Sequence, residues 1–309
     1  MRKATLLLLA ATTFSALIAR GAPPKDSPSL FAQENLIAWC IVPFDAKRRG
    51  HADRAAMLQR LGFQKFAYDW RPEHVPTFDA EIEAMKRANI ELTAWWFPPA
   101  LNEDAVKILA ALKRHDVTTQ LWVALDADPA PQSNEQRVKV AAAAKTLRPI
   151  VEAAAAQGCT VGLYNHGGWF GDPENQLAII AALDAPNVGI VYNLHHGHDH
   201  LDRFASLLEK MKPHLYAITL NGMDHDGERR GRKILPLGQG ELDLALLRTI
   251  KKSGYTGPLA ILGHTQDDAE LRLKDNLEGL AWLAKQLEGQ PRGQRPTPRT
   301  PIPGAKTSR

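Results

Sequence analysis

Eight short apolar runs, each followed by a stretch with helical periodicity, divide the middle of this chain. The runs are Leu36–Val42, Gln64–Trp70, Ile90–Phe97, Thr119–Leu125, Thr160–Tyr164, Val188–Asn193, Leu215–Leu220 and Pro258–Leu262. They are nearly continuous in apolar character rather than alternating, as parallel strands covered on both faces require. Between them, Phe204, Leu207, Leu208 and Met211 recur at helical spacing, as do Leu273, Leu277, Leu280, Ala284 and Leu287. Asp172-Pro173 sets a capping acid before a first-turn proline, and Gly254 after Lys251-Lys252 reads as a helix stop. Eight such units in about 250 residues match a (β/α)8 barrel in count and size. An open doubly wound sheet would show a Gly-rich phosphate turn after its first strand, and Val42-Pro-Phe-Asp-Ala is not one. The expected fold is α/β: one barrel over residues 35–288, with no second domain or internal repeat.

The ends read differently. Residues 1–21 have a basic start (Arg2, Lys3), an apolar stretch from Leu6 to Ile18, and small residues around Ala19-Arg20-Gly21, the pattern of an export signal. The stretch is too short and too soon interrupted by Arg20 for a membrane anchor of about 20 apolar residues. Residues 22–34 form a Pro-rich leader. Residues 289–309 carry five prolines, five basic residues and no acid, and are expected to be a disordered tail. The whole chain is +4, but the signal holds +3 and the tail +5, which leaves the body at −4. A mildly acidic body lacks the basic patch that tracks phosphates, so no nucleic-acid partner is expected. The expected location is outside the cytoplasm, periplasmic or secreted, with no transmembrane segment once the signal is removed. Cys40 and Cys159 sit in or beside apolar runs and are expected to stay unpaired.

In a barrel the site is built from the loops after the strands. Those loops offer Asp45, then Asp69-Trp70-Arg71, Trp95-Trp96-Phe97, Asp126 and Asp128, Asn165-His166-Gly-Gly-Trp169, the run Asn193-Leu-His-His-Gly-His-Asp-His200, Asn221 and Asp224, and Gly263-His264. His166, His196 (or its neighbour His195) and His264 come from three strand ends and are expected to converge. Imidazoles so placed are either acid/base groups or ligands to a borderline metal such as Zn, Mn or Fe. His198 and His200 lie at a helix start and are expected to serve as caps. Asp126 is a candidate base, and Asp69 is expected to pair with Arg71. Trp95, Trp96, Asn165, Trp169, Asn193, His195, Asn221 and Asp69 are the expected substrate contacts. Indole faces stack on sugar C–H groups while amides and carboxylates take hydroxyls. Because Trp95 and Trp96 alternate sides, only one of them can face the ligand. Gly238-Gln-Gly240 is expected to shape a turn into a helix capped by Asp243.

Three stretches carry a family resemblance: Val161-Gly-Leu-Tyr-Asn-His-Gly-Gly, Val188-Gly-Ile-Val-Tyr-Asn-Leu-His-His, and the ending Leu237-Gly-Gln-Gly-Glu-Leu-Asp with Gly254-Tyr-Thr-Gly-Pro-Leu-Ala-Ile-Leu. From Leu36 to Leu287 the chain resembles the xylose isomerase-like barrels: sugar isomerases and epimerases, inosose dehydratase-like enzymes and the endonuclease IV group. The resemblance implies a divalent ion held by carboxylates and a His from strands five to eight, and proton transfer through an enediolate. This chain departs from that pattern residue by residue. Tyr164 stands where the family has Glu, Asn193 where it has Asp, Asn221 where it has His, and Leu262 where it has the closing Glu. His196 and Asp224 are kept. A hard-ion centre of the usual kind would lack its compensating charge here.

These readings lead to an exported sugar-active enzyme of isomerase/epimerase type, with His166, His196, Asp126 and His264 as acid/base groups. The alternative is a carbohydrate-binding barrel without catalysis. An endonuclease IV-like nuclease ranks third.

Overall fold

A computed structural model describes residues 29–304. The stretch read as an export signal and most of the leader, together with the last five residues, lie outside the described residues. Eight parallel strands close into one barrel in sequence order. They are β1 Leu36–Trp39, β2 Lys65–Tyr68, β3 Glu91–Trp96, β4 Gln120–Val123, β5 Thr160–Tyr164, β6 Val188–Asn193, β7 Leu215–Leu220 and β8 Leu259–Leu262. Pairing of Leu36 with Leu259 through Trp39 with Leu262 seals the ring. All eight runs read from the sequence are strands, and several are shorter because their last residues turn into the loops above the barrel.

The helices are α1 His51–Arg60, α2 Phe78–Arg87, α3 Glu103–Arg114, α4 Gln136–Ala155, α5 Pro173–Leu183, α6 Phe204–Met211, α7 Asp243–Lys252 and α8 Ala269–Leu287. Asp172 caps α5 by accepting from the Glu174 N–H at 2.9 Å, and Asp268 does the same for α8. Gly254 follows α7 with φ +73°, the left-handed stop expected there. Among the described residues no helix is long and apolar enough to cross a membrane.

Large side chains pack both faces of the barrel wall, Trp39 and Trp122 inside it and Tyr68, Trp95 and Tyr192 against the helices. Trp39, Trp95, Trp122, Tyr68, Tyr192 and Phe66 are all essentially buried, and each such residue gains on the order of 1.5–3 kcal/mol from leaving water. Gly162 on β5 makes room for one of them. A Cβ there would lie 2.7 Å from Val191 and 3.0 Å from the Trp122 ring.

Two expectations are corrected. Asp243 is not the cap of α7 but its first residue. Its buried carboxylate accepts from the backbone N–H groups of Met223, Gly238 and Gly240 at 2.7, 2.7 and 3.0 Å, so it ties the β7–α7 loop together. Burial pushes its pKa up to about 6 despite those bonds. The tail up to residue 304 is not loose either. Asp275 of α8 is buried and accepts from Arg299 N, Thr300 N and Thr300 Oγ1 at 2.8–3.0 Å. Arg299 also reaches Glu278 at 2.8 Å, while Arg292 and Arg295 lie over the Trp282 ring. A carboxylate buried on α8 needs donors, and the tail supplies them. Composition alone does not reveal that demand.

Candidate active site

At the C-terminal mouth a small cleft has an aromatic floor. Trp39 meets Trp122 edge-on at 4.7 Å, Tyr164 stacks on Trp122 at 5.9 Å, and Trp96 meets Tyr164 edge-on at 5.2 Å. The Trp39 indole donates to the Tyr164 hydroxyl at 2.9 Å, and the Asn193 amide donates to the same oxygen. The walls are Cys40, Phe44, Asp69, Arg71, His166, His196 and His264. The cavity holds about 70 Å3, far less than the usual 300–1,000 Å3 of a ligand pocket. Broader concavities lie at the opposite end of the barrel and over the His198–His225 surface, but neither gathers the strand-end groups.

Four imidazoles run across this mouth. His166 lies 4.6 Å from His196, His196 4.1 Å from His195, and His195 5.5 Å from His264, ring centre to ring centre. His264 stacks on Phe44 at 3.7 Å. Burial first, and the neighbouring imidazoles next, lower His195 to about 2 and His196 to about 3. Burial and the Arg71 guanidinium lower His264 to about 4. These three rings are neutral at ordinary pH. His166 is more exposed, and its Nδ1 lies 2.8 Å from Asp126 Oδ1.

The β2 end carries the other charged groups. Asp69 is 2 % exposed; its Oδ1 accepts from Val42 N at 3.2 Å and its Oδ2 has no partner among the described residues. Burial raises its pKa to about 7, and the nearby Arg71 opposes that rise. The expected Asp69–Arg71 ion pair is not formed. Arg71 instead donates through Nη1 to the carbonyl oxygens of Asp69 and Trp70 at 3.1 and 2.7 Å and lies 5.6 Å over Phe44. Cys40, the residue after β1, adopts φ +55°, and its buried side chain lines the same space. Nothing in the sequence marks that strained residue.

The structure sorts the expected substrate contacts. Trp96 faces the cleft, whereas Trp95 is buried among Tyr68 and Phe78 on the far side. Asn165 and Asn193 are fully buried and hold each other's strand ends: Asn165 Nδ2 donates to Asn193 O and its Oδ1 accepts from Asn193 N. Asn193 Oδ1 then accepts from His195 N at 3.1 Å. They brace β5 and β6 and do not reach the cleft. Asn221 donates to Gly222 O and Lys233 O inside the β7–α7 loop, and Asp224 is held by Arg232 and Glu241 N. Trp169 bonds Gln136 at the rim, so it is removed from the cleft lining. His198 bonds Lys233 O and His200 bonds the Tyr192 hydroxyl, each at a short turn before α6. Asp45 is bonded by Arg49 and by Ala269 N, a structural link between the first and last units.

The residues present do not fit the divalent ion that the resemblance implies. The Tyr164 oxygen already accepts from an indole and an amide, the Asn193 amide is engaged, and Leu262 is buried with no donor atom. Among the described residues no group of three or more His, Cys, Asp or Glu side chains is arranged to hold a metal. His166, His196 and His264 converge on one cleft but do not close on one point.

Comparison with known proteins agrees with this architecture. Residues 56–286 match the model of the xylose isomerase-like TIM barrel family, and the chain belongs to that family. An uncharacterized protein of Methanocaldococcus jannaschii is 29% identical over 135 residues, 40% of this chain and 43% of that protein, so the match spans under half of the relative's length. The fold is similar to that of the 3-keto-D-glucoside 4-epimerase of E. coli (TM-score 0.59, 18% identity, 81% of this chain and 98% of that one). It is also similar to that of the probable 3-DHS dehydratase of Bacillus anthracis (TM-score 0.61, 16% identity, 80% and 98%).

Proposed function

We propose that this member of the xylose isomerase-like TIM barrel family is a sugar-active enzyme of isomerase/epimerase type. It moves a proton next to a carbonyl of a sugar or polyol derivative using side chains of the mouth. The observation that carries this reading is the Asp126–His166 contact at 2.8 Å beside His196 and Trp96. Asp126, read from the sequence as a base, acts as the orienter here. By accepting from His166 Nδ1 it directs the Nε2 lone pair to the substrate, as in other carboxylate–imidazole pairs. His166 Nε2 takes the proton from the carbon next to the carbonyl. The C–H electron pair becomes the double bond of an enediol, and the former carbonyl oxygen takes a proton from the neutral imidazole of His196. Return of the carbon-bound proton from His166 to the former carbonyl carbon, while the hydroxyl on the first carbon gives its proton back to His196 as the new carbonyl forms, yields the isomer with both imidazoles as they began. Protonation of the first carbon on its opposite face by water, with the His166 proton passing to solvent and the enol proton returning to His196, yields an epimer. Trp96 offers a ring for the C–H face of the sugar.

The test is deuterium incorporation from heavy water into candidate ketoses and aldoses, followed by mass. Exchange in the wild type that is lost on replacing His166 or His196 by Ala supports the reading; exchange that survives both replacements overturns it. A second reading, binding without turnover, is favoured by one observation: the Tyr164 network closes the floor where the family's ion would sit. Saturable sugar binding with no exchange would establish it. Export, read from residues 1–21, belongs to the same proposal and rests on their composition alone.

A further inference from the structure

Among the described residues the cleft holds one cation without a carboxylate partner. Other basic residues around the mouth are neutralised: Arg49 by Asp45, Arg232 by Asp224, and Lys233 by Glu228. Arg71 is fixed differently, by two backbone carbonyls through Nη1 and by the Phe44 face. Its Nε and Nη2 donate to nothing among the described residues. A planar guanidinium with donors to spare, held in place before any ligand arrives, suits the two oxygens of a carboxylate.

Beside it the buried Oδ2 of Asp69 has no partner. A buried oxygen left unpaired is costly, and a ligand hydroxyl would satisfy it. We infer that Arg71 and Asp69 form a subsite for the carboxylate end of a sugar acid, with Arg71 taking the carboxylate and Asp69 Oδ2 the hydroxyl on the adjoining carbon. The inference rests on the sugar-active reading and narrows its substrate to aldonates or uronates over neutral sugars.

Size agrees with this division. About 70 Å3 accommodates a carboxylate and one carbinol, not a whole ring. The remaining carbons then lie outward, against Trp96 and His166. His196 and His264, neutral through burial, add donors and acceptors but no competing charge. Asp69, near the middle of its titration at neutral pH, can also donate to the ligand once protonated.

Calorimetric titration of the full chain with D-gluconate, D-glucuronate and D-glucose tests this, alongside Arg71→Gln, Arg71→Lys and Asp69→Asn. The wild type should bind one of the acids at least tenfold more tightly than glucose, the margin expected of a charge-assisted pair. Arg71→Gln should lose that margin and Arg71→Lys should keep part of it. Asp69→Asn should weaken gluconate and glucuronate while leaving their preference over glucose. Should Arg71→Gln fail to fold, a salt-insensitive acid affinity in the wild type or an Arg71→Lys variant as tight as wild type overturns the inference. So does glucose binding as tightly as the better-bound of the two acids, or no acid binding at all. Acid binding that depends on Arg71 without proton exchange would leave the subsite standing and overturn the isomerase reading; neutral-sugar exchange indifferent to Arg71 would do the reverse.

Discussion

The Tyr164 hydroxyl accepts the Trp39 indole N–H at 2.9 Å, joining the top of β5 to the top of β1 across the barrel. The bond lies beneath the cleft in a fully buried layer, and Asn193 adds a second donor to the same oxygen. Tyr164→Phe would leave an indole N–H and an amide without an acceptor. Each orphaned buried group costs about 1–3 kcal/mol. Urea unfolding followed by tryptophan fluorescence should show a fall of that order. A variant as stable as wild type would mean that water replaces the hydroxyl.

Asp126 and His166 are exposed side chains at the rim, so their replacement should hardly move stability, within about 0.5 kcal/mol. Asp126→Asn should still slow proton exchange, because the orienting charge is lost. A decrease of roughly tenfold or more is expected, and a positioned acid/base group contributes about 100-fold or more in total. His166→Ala should cost more than Asp126→Asn. Equal losses would place the base on Asp126 itself, the role read from the sequence.

Removing metal should change little. With no group of three ligating side chains arranged around one point among the described residues, dialysis against chelator should leave both the melting temperature and ligand binding unaltered. Loss of either, restored by zinc or manganese, would show that the histidines close on an ion.

How much of this was legible in the sequence differs by level. The strands were readable because parallel strands buried on both faces must be apolar throughout, and Val188–Asn193 is buried at every position. The split of Trp95 from Trp96 followed from strand alternation alone. The mouth was readable only as a set of loops. Whether Asn165 meets ligand or Asn193 depends on rotamers and on neighbours 28 residues away. The same holds for Asp69 and Arg71, two residues apart yet not paired, because backbone carbonyls claim the guanidinium first. The tail's contacts with α8 are hidden in the sequence for a similar reason. Its anchor, Asp275, looks in sequence like any polar residue of an amphipathic helix.

That anchor gives a further prediction. Deleting residues 289–309, or replacing Arg299 and Thr300 together by Ala, removes donors to the buried Asp275 carboxylate. Burial opposes ionisation of Asp275, and these donors outweigh it, holding its pKa below the ordinary value. The truncated chain should unfold about 1–3 kcal/mol more easily, and Asp275→Asn in the truncated chain should recover part of the loss. A truncation without effect would show that the tail merely rests on α8.

The pH dependence of stability follows from groups pulling in opposite directions. His195, His196 and His264, lowered to about 2, 3 and 4, stay neutral in the folded chain but protonate near 6.5 once unfolded. Their contribution is present above about pH 6.5 and is lost as pH falls through the interval down to the folded values, since the unfolded chain then binds more protons. Asp69 and Asp243, raised to about 7 and about 6, act with the other sign. Between their ordinary value of 3.8 and the raised ones, the folded chain binds the extra protons, so acidification there favours folding. Three imidazoles against two carboxyls leave a shallow net loss of stability between about pH 6 and pH 4 from these five groups. Asp69→Asn removes one of the opposing carboxyls, so the loss on acidification should steepen by about 1.4 kcal/mol per pH unit, the value for one proton. His196→Asn should flatten it by a similar step. Urea midpoints for the three proteins at pH 4.5, 5.5 and 6.5 decide the matter, and a slope unchanged by Asp69→Asn would mean that Asp69 ionises as an ordinary carboxylate.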